Sequence, residues 1–392
     1  MRKIKVLSII ILTLLTVSMA CAPQAPAKQS PSTSLTPVPI ASGTQGTTAT
    51  SNLSSPTSRD AAPDKSGQAW QKTIEAAKKE GKVTLYTYTF VGDMATAVSR
   101  AFTDRYGIKV DVIAGRGAEQ IERLRTEQRM RGMVADVFES ASTHGLNAKK
   151  MGLTIKSTDL PVLQEKDIWV IDPLNFDPDG VALQFTYHLG APHINTKLVK
   201  AGDEPQSWYD LLNASWKGKI AAPDPTLSTG LYNYLLPITS RGLLRPGFVA
   251  ELAAQKPVLG RSPRDVADFL ARGEYPLGIS STSDSAFFMS EGAPIKALSM
   301  KEGIVVSGLA ISVVKDSPSP NAARLFANWL LAPEGQQVQA KARSSSSMRK
   351  DVPSFFPKGA QITGNLVNTT GQDTDKLSDA FADKLWVDLF KK

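Results

Sequence analysis

The sequence predicts an α/β fold with a parallel-type sheet, preceded by an N-terminal segment of different character. From about residue 68 onward, runs rich in β-branched residues alternate with helical periodicity, as in the pair 82–88 and 93–106. Two further apolar runs, at 181–189 and 305–314, have the length and composition of long extended strands. Of the 392 residues, 42% are hydrophobic and 21% charged, which is typical of a globular protein.

The predicted elements follow one another along the chain without internal repeats. Gly81 and Gly107 end the first two helices, because glycine adopts the backbone conformation that terminates a helix. Ser207 is the predicted N-cap of a short helix that begins at 206–208. The predicted helices are 68–79, 93–106, 117–131, 142–151, 231–239, 266–272, 321–331, 334–343 and 376–390, and the predicted strands are 82–88, 108–113, 136–138, 181–189, 219–222, 277–280 and 305–314.

Residues 1–20 have the pattern of an export signal peptide. Arg2, Lys3 and Lys5 precede a mostly apolar run at 6–17, and small residues follow at 18–20. The apolar run is too short to span a bilayer comfortably. We therefore expect residues 1–20 to direct export and to be removed.

Cys21 directly follows this segment and is the only cysteine of the chain. Its position resembles the lipobox of bacterial lipoproteins, in which the cysteine is lipidated and becomes the new N-terminus. The alternative is ordinary cleavage after Ala20, which would leave Cys21 as an incidental thiol. Residues 22–66 are rich in Pro, Ser, Thr, Ala and Gln, so residues 21–66 are expected to be a disordered, lipid-anchored tether.

Composition excludes several other classes of protein. The net charge is +8, yet basic residues alternate with acidic ones, as at 122–127, so no basic run indicates nucleic-acid binding. One cysteine permits no internal disulfide and no cysteine-based zinc cluster. No G-x-S-x-G motif occurs, and the S-x-x-K match at 347–350 lacks its companion motifs, so we predict that the chain is not an enzyme.

Glycine and hydroxyl residues stand before four predicted helices. The turns are 115–117, 140–143, 228–230 and 281–284. A helix start presents unpaired N–H groups and a positive dipole end, so these turns are suited to an anion, which Arg116 could also bind through its guanidinium. The alternative is that the same residues only cap their helices.

Several segments in fixed order carry a resemblance to a known family. They are 191–199 (APHINTKLV), 204–212 (EPQSWYDLL), 216–220 (WKGKI), 223–230 (PDPTLSTG), 320–326 (PNAARLF) and 329–336 (WLLAPEGQ). Together they resemble the iron(III)-type branch of the extracellular, or periplasmic, solute-binding proteins of ABC transporters, over roughly residues 68–392.

That resemblance implies the two-lobed class II periplasmic-binding-protein fold, with two hinge-crossing strands and a ligand cleft between the lobes. Residues 67–187 and 308–392 would form lobe 1 with its C-terminal helices, and residues 188–307 would form lobe 2. The runs 181–189 and 305–314 would be the hinge strands. Ligand would bind in the cleft, and the lobes would close over it.

The residues expected to contact the ligand lie at strand ends, at helix starts and near the hinge. They are Tyr88, Thr89, Arg116, Gly117, Ser140, Ser142, Tyr187, Asp224, Ser228, Thr229, Gly230, Tyr232, Ser281 and Thr282.

Tyrosines raise the question of iron. Iron-binding relatives use two adjacent tyrosines, whereas Tyr232 and Tyr234 are separated by Asn233, and residues i and i+2 of a helix point apart. Tyr88, Tyr232 and Tyr234 are the candidate ferric ligands. Alternatively, these rings stack on an organic ligand or pack into the cleft wall.

The resemblance implies the substrate-binding component of an ABC importer, which captures a small polar or anionic solute by lobe closure. The alternative function is ferric iron binding through tyrosine ligands and a synergistic anion, with iron as cargo and no resident cofactor. A surface lipoprotein without a transport role, or an enzyme, is more distant. The expected partners are the ligand, the permease and ATPase subunits and the membrane that holds the lipid. The chain would be an exported monomer that binds no nucleic acid.

Overall fold

The computed structural model describes residues 65–228, 230–362 and 364–391. The predicted signal peptide, Cys21 and nearly all of the predicted tether therefore lie outside the described residues. Within the described part of the chain, no helix is long and apolar enough to cross a membrane.

Helices and strands alternate along most of the chain. The strands are β1 Lys82–Thr87, β2 Lys109–Ala114, β3 Val137–Ala141, β4 Thr154–Ile155, β5 Leu183–Asn195, β6 Ile220–Pro223, β7 Val258–Gly260, β8 Leu277–Ser281, β9 Ile295–Ala297, β10 Ile304–Val314 and β11 Leu366–Asn368. The helices are α1 Lys65–Glu80, α2 Gly92–Tyr106, α3 Gly117–Arg129, α4 Ser142–Lys150, α5 Gly230–Ser240, α6 Phe248–Ala254, α7 Pro263–Ala271, α8 Thr282–Ser290, α9 Pro320–Leu331, α10 Pro333–Ala342, α11 Gly371–Ala382 and α12 Val387–Phe390.

One sheet runs in the order β2-β1-β3-β10-β5-β8-β6-β7, with β4 and β11 on β10 and β9 on β5. The strands β1, β2 and β3 are parallel to one another, and so are β6, β7 and β8. We call these groups, with the helices that follow their strands, the β1–β3 half and the β6–β8 half.

The antiparallel pair β5 and β10 joins the two halves. Strand β10 pairs with β3 from Leu309 to Val313, near its C-terminal end, and strand β5 pairs with β8 from Gly190 to Ile194. The β5–β10 pairing shifts register next to Leu309, which is a bulge between the two halves. Each long strand therefore contributes to both halves, as hinge strands do.

Several predicted boundaries are wrong, each for a local reason. The first long strand does not end at residue 189 but continues to Asn195, because the segment after Gly190 pairs with β8 and β9. The predicted helix 376–390 is two helices, α11 and α12, since Lys384 between them has a positive φ of 55°. Helix α6 and strand β7 have no counterpart in the prediction. The predicted N-cap at Ser207 is confirmed, because its hydroxyl accepts from the Tyr209 N–H at 3.1 Å at the start of a 3₁₀-helix, Trp208–Leu212.

Helices cover both faces of the sheet. In the β1–β3 half, α2 packs on α10 and α1 packs on α9. Phe102 contacts Phe326 and Trp329 with ring centroids 5.0 and 5.3 Å apart, which fixes α2 against α9. On the other side of the hinge strands, α4, α5 and α11 are in contact. Both halves thus have a packed core, and the parts of the molecule that remain open are the strand ends.

Candidate ligand cleft between the strand ends

Parallel strands bring their C-terminal ends to one edge of a sheet, and ligands of open α/β sheets bind at that edge. In the β1–β3 half, the strand ends lead into α2, α3 and α4. In the β6–β8 half, they lead into α5, α7 and α8. The hinge strands lie between these two sets of helix starts, so a cleft lies where the two edges meet.

Glu139 organises the turn after β1. It is fully buried, and its carboxylate accepts from the N–H groups of Tyr88 and Thr89 at 3.1 and 3.0 Å. It also accepts from the Thr89 hydroxyl at 2.8 Å and from the Thr87 hydroxyl. A buried carboxylate with several donors is stable without a cationic partner, so Glu139 holds this turn in one conformation.

Arg343 follows α10 and reaches the same turn. Its Nη2 donates to the Thr89 hydroxyl, and its guanidinium lies 5.3 Å from the Phe90 ring centroid and 5.9 Å from that of Phe185. Among the described residues no carboxylate oxygen lies within 4.0 Å of it, and its buried Nε has no hydrogen-bond partner. Burial lowers the pKa of the Arg343 guanidinium, and the charge of Glu139 opposes this effect. Arg343 is thus a half-buried cation whose charge no ion pair neutralises.

The starts of α3 and α4 lie against each other. The Ser140 hydroxyl is 3.1 Å from His144 Nδ1. A Cβ on Gly117 would come within 2.4 Å of the Ser140 hydroxyl, so only glycine permits this approach without a shift. Arg116, the N-cap residue of α3, is exposed. The structure thus brings Gly117 and Ser140 together at the C-terminal edge of the β1–β3 half.

A cavity of about 60 Å³ lies at the hinge and touches both halves. Ser142 and Thr143 line it from the start of α4, and Asn233 lines it from α5. The Ser142 hydroxyl is buried and has no hydrogen-bond partner among the described residues. Because unsatisfied buried polar groups are rare, this hydroxyl marks a place where a polar group is accommodated. The hinge strands contribute Gln184, His188, Val306, Ser307 and Gly308 to the lining.

His188 links the cavity to Arg343. Burial and the neighbouring charge of Arg343 lower the pKa of His188 to about 4, so its imidazole is neutral at physiological pH. A neutral imidazole can donate one hydrogen bond and accept another. His188 can therefore contact a polar ligand without adding a second positive charge beside Arg343.

The β6–β8 half is organised by Tyr234 and Ser281. The Tyr234 ring lies against the hinge strand, since a Cβ on Gly190 would be 1.9 Å from its Cδ1. Tyr234 and Ser281 form a side-chain hydrogen bond, and burial raises the pKa of the Tyr234 phenol. The Ser281 hydroxyl caps α8 by accepting from the Asp284 N–H at 3.0 Å, and it donates to the Asp284 carboxylate at 2.6 Å. Thr282 accepts from the Leu189 N–H at 3.0 Å, which ties α8 to the hinge.

The starts of α5 and α7 complete this edge. Ser228 accepts from the Gly230 N–H at 3.0 Å, and Gly230 lies so close to Pro263 that a Cβ would be 2.7 Å from the proline ring. Asp224 caps its own turn by accepting from the Thr226 N–H at 2.7 Å. Thr229 lies outside the described residues.

The four tyrosines have different surroundings. Tyr88 is 51% exposed at the end of β1, whereas Tyr187 is buried and its hydroxyl bonds the Ser346 side chain. Tyr232 is fully buried and stacks on Trp386, with centroids 4.8 Å apart and planes 3° from parallel. The hydroxyl of Tyr232 accepts from the Trp386 N–H at 3.5 Å, while Tyr234 is bonded to Ser281. Tyr232 and Tyr234 thus engage different partners, as their spacing on one helix predicts.

No group of three or more His, Cys, Asp or Glu side chains that could hold a metal ion occurs among the described residues.

Sequence reasoning did not single out Glu139, Arg343 or His188. Glu139 lies inside a strand, where the pattern gave no sign that its carboxylate would be fully buried. Arg343 lies just after the end of a helix, where a cation ordinarily interacts with the helix dipole and solvent. No local signal identifies Glu139, because the donors Thr87, Tyr88 and Thr89 lie 50 to 52 positions earlier in the chain.

Residues 83–342 match the family of bacterial extracellular solute-binding proteins. The chain belongs to this family. An uncharacterised protein of Haemophilus influenzae is 23% identical over 277 residues, which make up 69% of this chain and 78% of that protein. The family resemblance drawn from the motifs is therefore confirmed.

Solved structures show the same fold. The periplasmic binding protein AfuA of Actinobacillus pleuropneumoniae, with fructose-6-phosphate bound, has a TM-score of 0.61 and 21% identity over 79% of this chain and 99% of that one. Trichodesmium FutA (IdiA), in complex with iron and citrate, has a TM-score of 0.65 and 21% identity over 80% and 100%. Iron-bound HitA of Pseudomonas aeruginosa has a TM-score of 0.62 and 19% identity over 78% and 99%. The predicted two-lobed fold is confirmed.

Proposed function

We propose that this solute-binding protein captures a small anionic solute between its two lobes and delivers it to the permease and ATPase of an ABC importer. The observation that carries the proposal is the cavity at the hinge, which Ser142 and Thr143 line from one half and Asn233 from the other. A solute in that position contacts both halves, so its binding energy favours the closed arrangement.

The polarity of the cleft supports an anion. Starts of α4 and α5 contribute to the cavity, and helix starts favour negative charge. The guanidinium of Arg343 lies beside His188 without a carboxylate partner within 4.0 Å among the described residues. The Glu139 oxygens accept hydrogen bonds from Thr87, Tyr88 and Thr89, so this carboxylate stabilises the turn. It reaches Arg343 only through the shared Thr89 hydroxyl and through space, so the guanidinium has no direct ion pair.

We keep the predicted ligand-contact residues as part of this proposal, although they lie at different positions in the cleft. Tyr88, Thr89, Ser140 and Ser142 lie where the β1–β3 half meets the cleft, and Ser281 lies at the opposite strand end. We further propose that residues 67–187 and 308–392 form one lobe and residues 188–307 the other, and that the chain acts as a monomer without catalysis or a resident cofactor.

Ferric iron is the second candidate cargo, because FutA and HitA carry iron in their solved structures. Direct ligation by the predicted tyrosines is weakly supported. Burial raises the pKa of both Tyr232 and Tyr234, which favours the neutral phenol over the phenolate that iron prefers. Iron bound through phenolates would give a visible charge-transfer band, and that band should disappear in Tyr88→Phe if the exposed tyrosine is a ligand.

We also propose that residues 1–20 direct export and that Cys21 is lipidated, so that residues 21–66 tether the folded body to the outer side of the membrane. Intact-mass analysis of the protein from a bacterial membrane fraction tests this. Acyl chains on Cys21 support the tether, and an unmodified Cys21 at the mature N-terminus contradicts it.

The function is tested by thermal unfolding and small-angle scattering of the full chain, kept in mild detergent, against ferric salts, phosphate, organic phosphates and carboxylates. One class of solute should raise the melting temperature and reduce the scattering radius together. Ser142→Ala should weaken this effect. Ser312→Ala is the matched control, because the Ser312 hydroxyl is also buried and without a hydrogen-bond partner but does not line the cavity. If no small solute changes either quantity, the capture proposal is wrong.

A further inference from the structure

We propose that Arg343 and Arg264, one from each half, form a two-sided clamp for a solute with two negative charges. The proposal rests on capture at the hinge cleft and specifies the charge of the captured solute. It also assigns a role to Arg264, which the sequence did not indicate and which does not line the hinge cavity.

The first arm is Arg343. Its guanidinium lies over the Phe90 and Phe185 rings, whose centroids are 5.7 Å apart, and Nη2 donates to the Thr89 hydroxyl. These contacts restrict the orientation of the guanidinium plane. Its buried Nε has no acceptor among the described residues, so an anion would supply the missing acceptor.

The second arm is Arg264, which lies in the first turn of α7, directly after Pro263. Its guanidinium lies 4.0 Å from the Phe287 ring centroid and 5.3 Å from that of Phe288. Phe287 is 47% exposed although it is aromatic. The charge of Arg264 also acts on Asp284, whose pKa is raised by burial and lowered by Ser281 and by Arg264. Arg264 therefore lies where the starts of α5, α7 and α8 converge.

Both arms differ from the other stacked arginines. Arg343 and Arg264 stack on aromatic rings and have no carboxylate within 4.0 Å among the described residues. The other described arginines that stack on rings also form ion pairs, namely Arg105, Arg123, Arg245, Arg272 and Arg349. Stacked guanidinium groups without a direct ion pair thus occur once in each half of the cleft, with Glu139 and Asp284 acting on them from farther away.

Closure brings the two halves, and with them two cations that form no direct ion pair, toward each other. Repulsion between like charges in a partly desolvated site disfavours closure of the empty cleft. A solute with one negative charge compensates one arginine, whereas a solute with two compensates both. A phosphate monoester and a short dicarboxylate both satisfy this condition, and guanidinium groups bind either one in a bidentate manner.

Calorimetric titration of the full chain with acetate, inorganic phosphate, glycerol phosphate, malonate, succinate and glutarate tests the clamp. At least one doubly charged solute should bind about tenfold or more tightly than acetate. Among the doubly charged solutes, tighter binding of the phosphates would indicate a phosphate ligand. Tighter binding of one dicarboxylate length would indicate a dicarboxylate ligand. Arg343→Gln and Arg264→Gln should each weaken binding of the preferred solute by about thirtyfold or more, since each leaves one charge unpaired.

Arg245→Gln is the matched control, because Arg245 stacks on Tyr209 at 5.0 Å but is ion-paired with Glu251. It should leave binding unchanged. Arg343→Lys and Arg264→Lys keep the positive charge, so we expect them to retain part of the binding. They therefore keep the test valid if the glutamine variants misfold. In scattering, Arg264→Gln should prevent compaction even at saturating solute.

The outcomes separate the two proposals. If a solute binds and compacts the protein but Arg264→Gln binds it as the parent does, the clamp is wrong and capture stands. The same holds if acetate binds as tightly as every doubly charged solute. If a solute outside this panel stabilises the protein and no solute within the panel does, the assignment of two negative charges to the ligand is wrong, but capture stands. If no solute of any class binds, capture itself fails.

Discussion

The two halves of the cleft are built from the same elements but are held in different ways. In the β1–β3 half, one buried carboxylate, Glu139, accepts hydrogen bonds from three consecutive residues and fixes the turn that Arg343 also reaches. In the β6–β8 half, Tyr234 and Ser281 pack and cap the start of α8, while Arg264 is exposed and rests on Phe287.

This difference indicates that the two halves differ in rigidity. A buried charge with several donors permits few alternative arrangements, so the β1–β3 half presents a rigid receptor. An exposed arginine on an aromatic ring keeps more freedom, so the β6–β8 half can adapt as it closes. The following changes break or sharpen this contrast, from the largest expected effect to the smallest.

Removing the Glu139 carboxylate should have the largest effect. Glu139→Ala removes the carboxylate acceptor of the Thr87 and Thr89 hydroxyls and leaves the Tyr88 and Thr89 N–H groups with one acceptor each, so unfolding free energy should fall by about 4 kcal/mol. Chemical denaturation measures it. The corresponding change in the other half, Asp284→Ala, should cost about 1 kcal/mol, because its main partner is the Ser281 hydroxyl. Equal losses in the two variants would remove the contrast.

The second change adds a methyl group at matched glycines. In Gly190→Ala the new Cβ would lie 1.9 Å from Tyr234 Cδ1, and the rigid ring cannot move away from the hinge strand. We expect a loss of about 3 kcal/mol. In Gly117→Ala the Cβ meets the ends of His144 and Ser140, at 2.3 and 2.4 Å, and these small groups can shift at a cost of about 1 kcal/mol.

A double-variant cycle checks the proposed cause. Tyr234→Ala removes the ring, so Gly190→Ala should cost much less in that background when unfolding is measured by urea denaturation. An unchanged cost would show that the backbone at Gly190, rather than the Tyr234 ring, requires glycine.

Lowering the pH should destabilise the fold mainly through buried histidines. Burial lowers the pKa of His193 to about 4, although a hydrogen bond to the Ala191 carbonyl opposes this. Between pH 6.5 and 4 the unfolded chain therefore binds a proton that the folded chain does not, so stability falls as the pH falls. From pH 7 to pH 5 we expect His193 to account for about 2 kcal/mol.

Urea denaturation of the parent and of His193→Gln at pH 7 and pH 5 measures this effect. The variant should show a shallower pH dependence, whatever its stability at pH 7. The same slope in both proteins would assign the acid sensitivity to other groups, such as His188, whose pKa is also lowered to about 4.

The smallest effect should come from the ion pair between Arg241 and Asp373. Arg241 follows α5 and contacts the buried Asp373 carboxylate of α11, and it also donates to the Asn368 carbonyl at 2.8 Å. Because Arg241 is about one-third exposed, Arg241→Gln should cost about 1 kcal/mol. The exposed pair of Lys150 and Asp375 is the control, and Lys150→Gln should change the melting temperature little. A larger loss in the control would contradict the assignment.

Much of the fold could be predicted from the sequence because it depends on local patterns. The alternation around β1 to β3, the long hinge runs and the Ser207 cap each depend on a few neighbouring residues. The strand end at Asn195 and the break at Lys384 were missed, since pairing with β8 and β9 and a single positive φ decide them.

The sequence by itself determined the family and the placement of glycines and hydroxyls at helix starts, because motifs and caps are local. Only the tertiary structure decided which charged side chains lie next to those helix starts. Arg343 and Thr89 are 254 positions apart, and Thr87 and Glu139 are 52 apart. No local pattern relates residues at such separations. Thr87 and Glu139 become neighbours because β1 pairs with β3, and Arg343 reaches Thr89 because α10 packs on α2, which brings the C-terminal part of the chain to the end of β1.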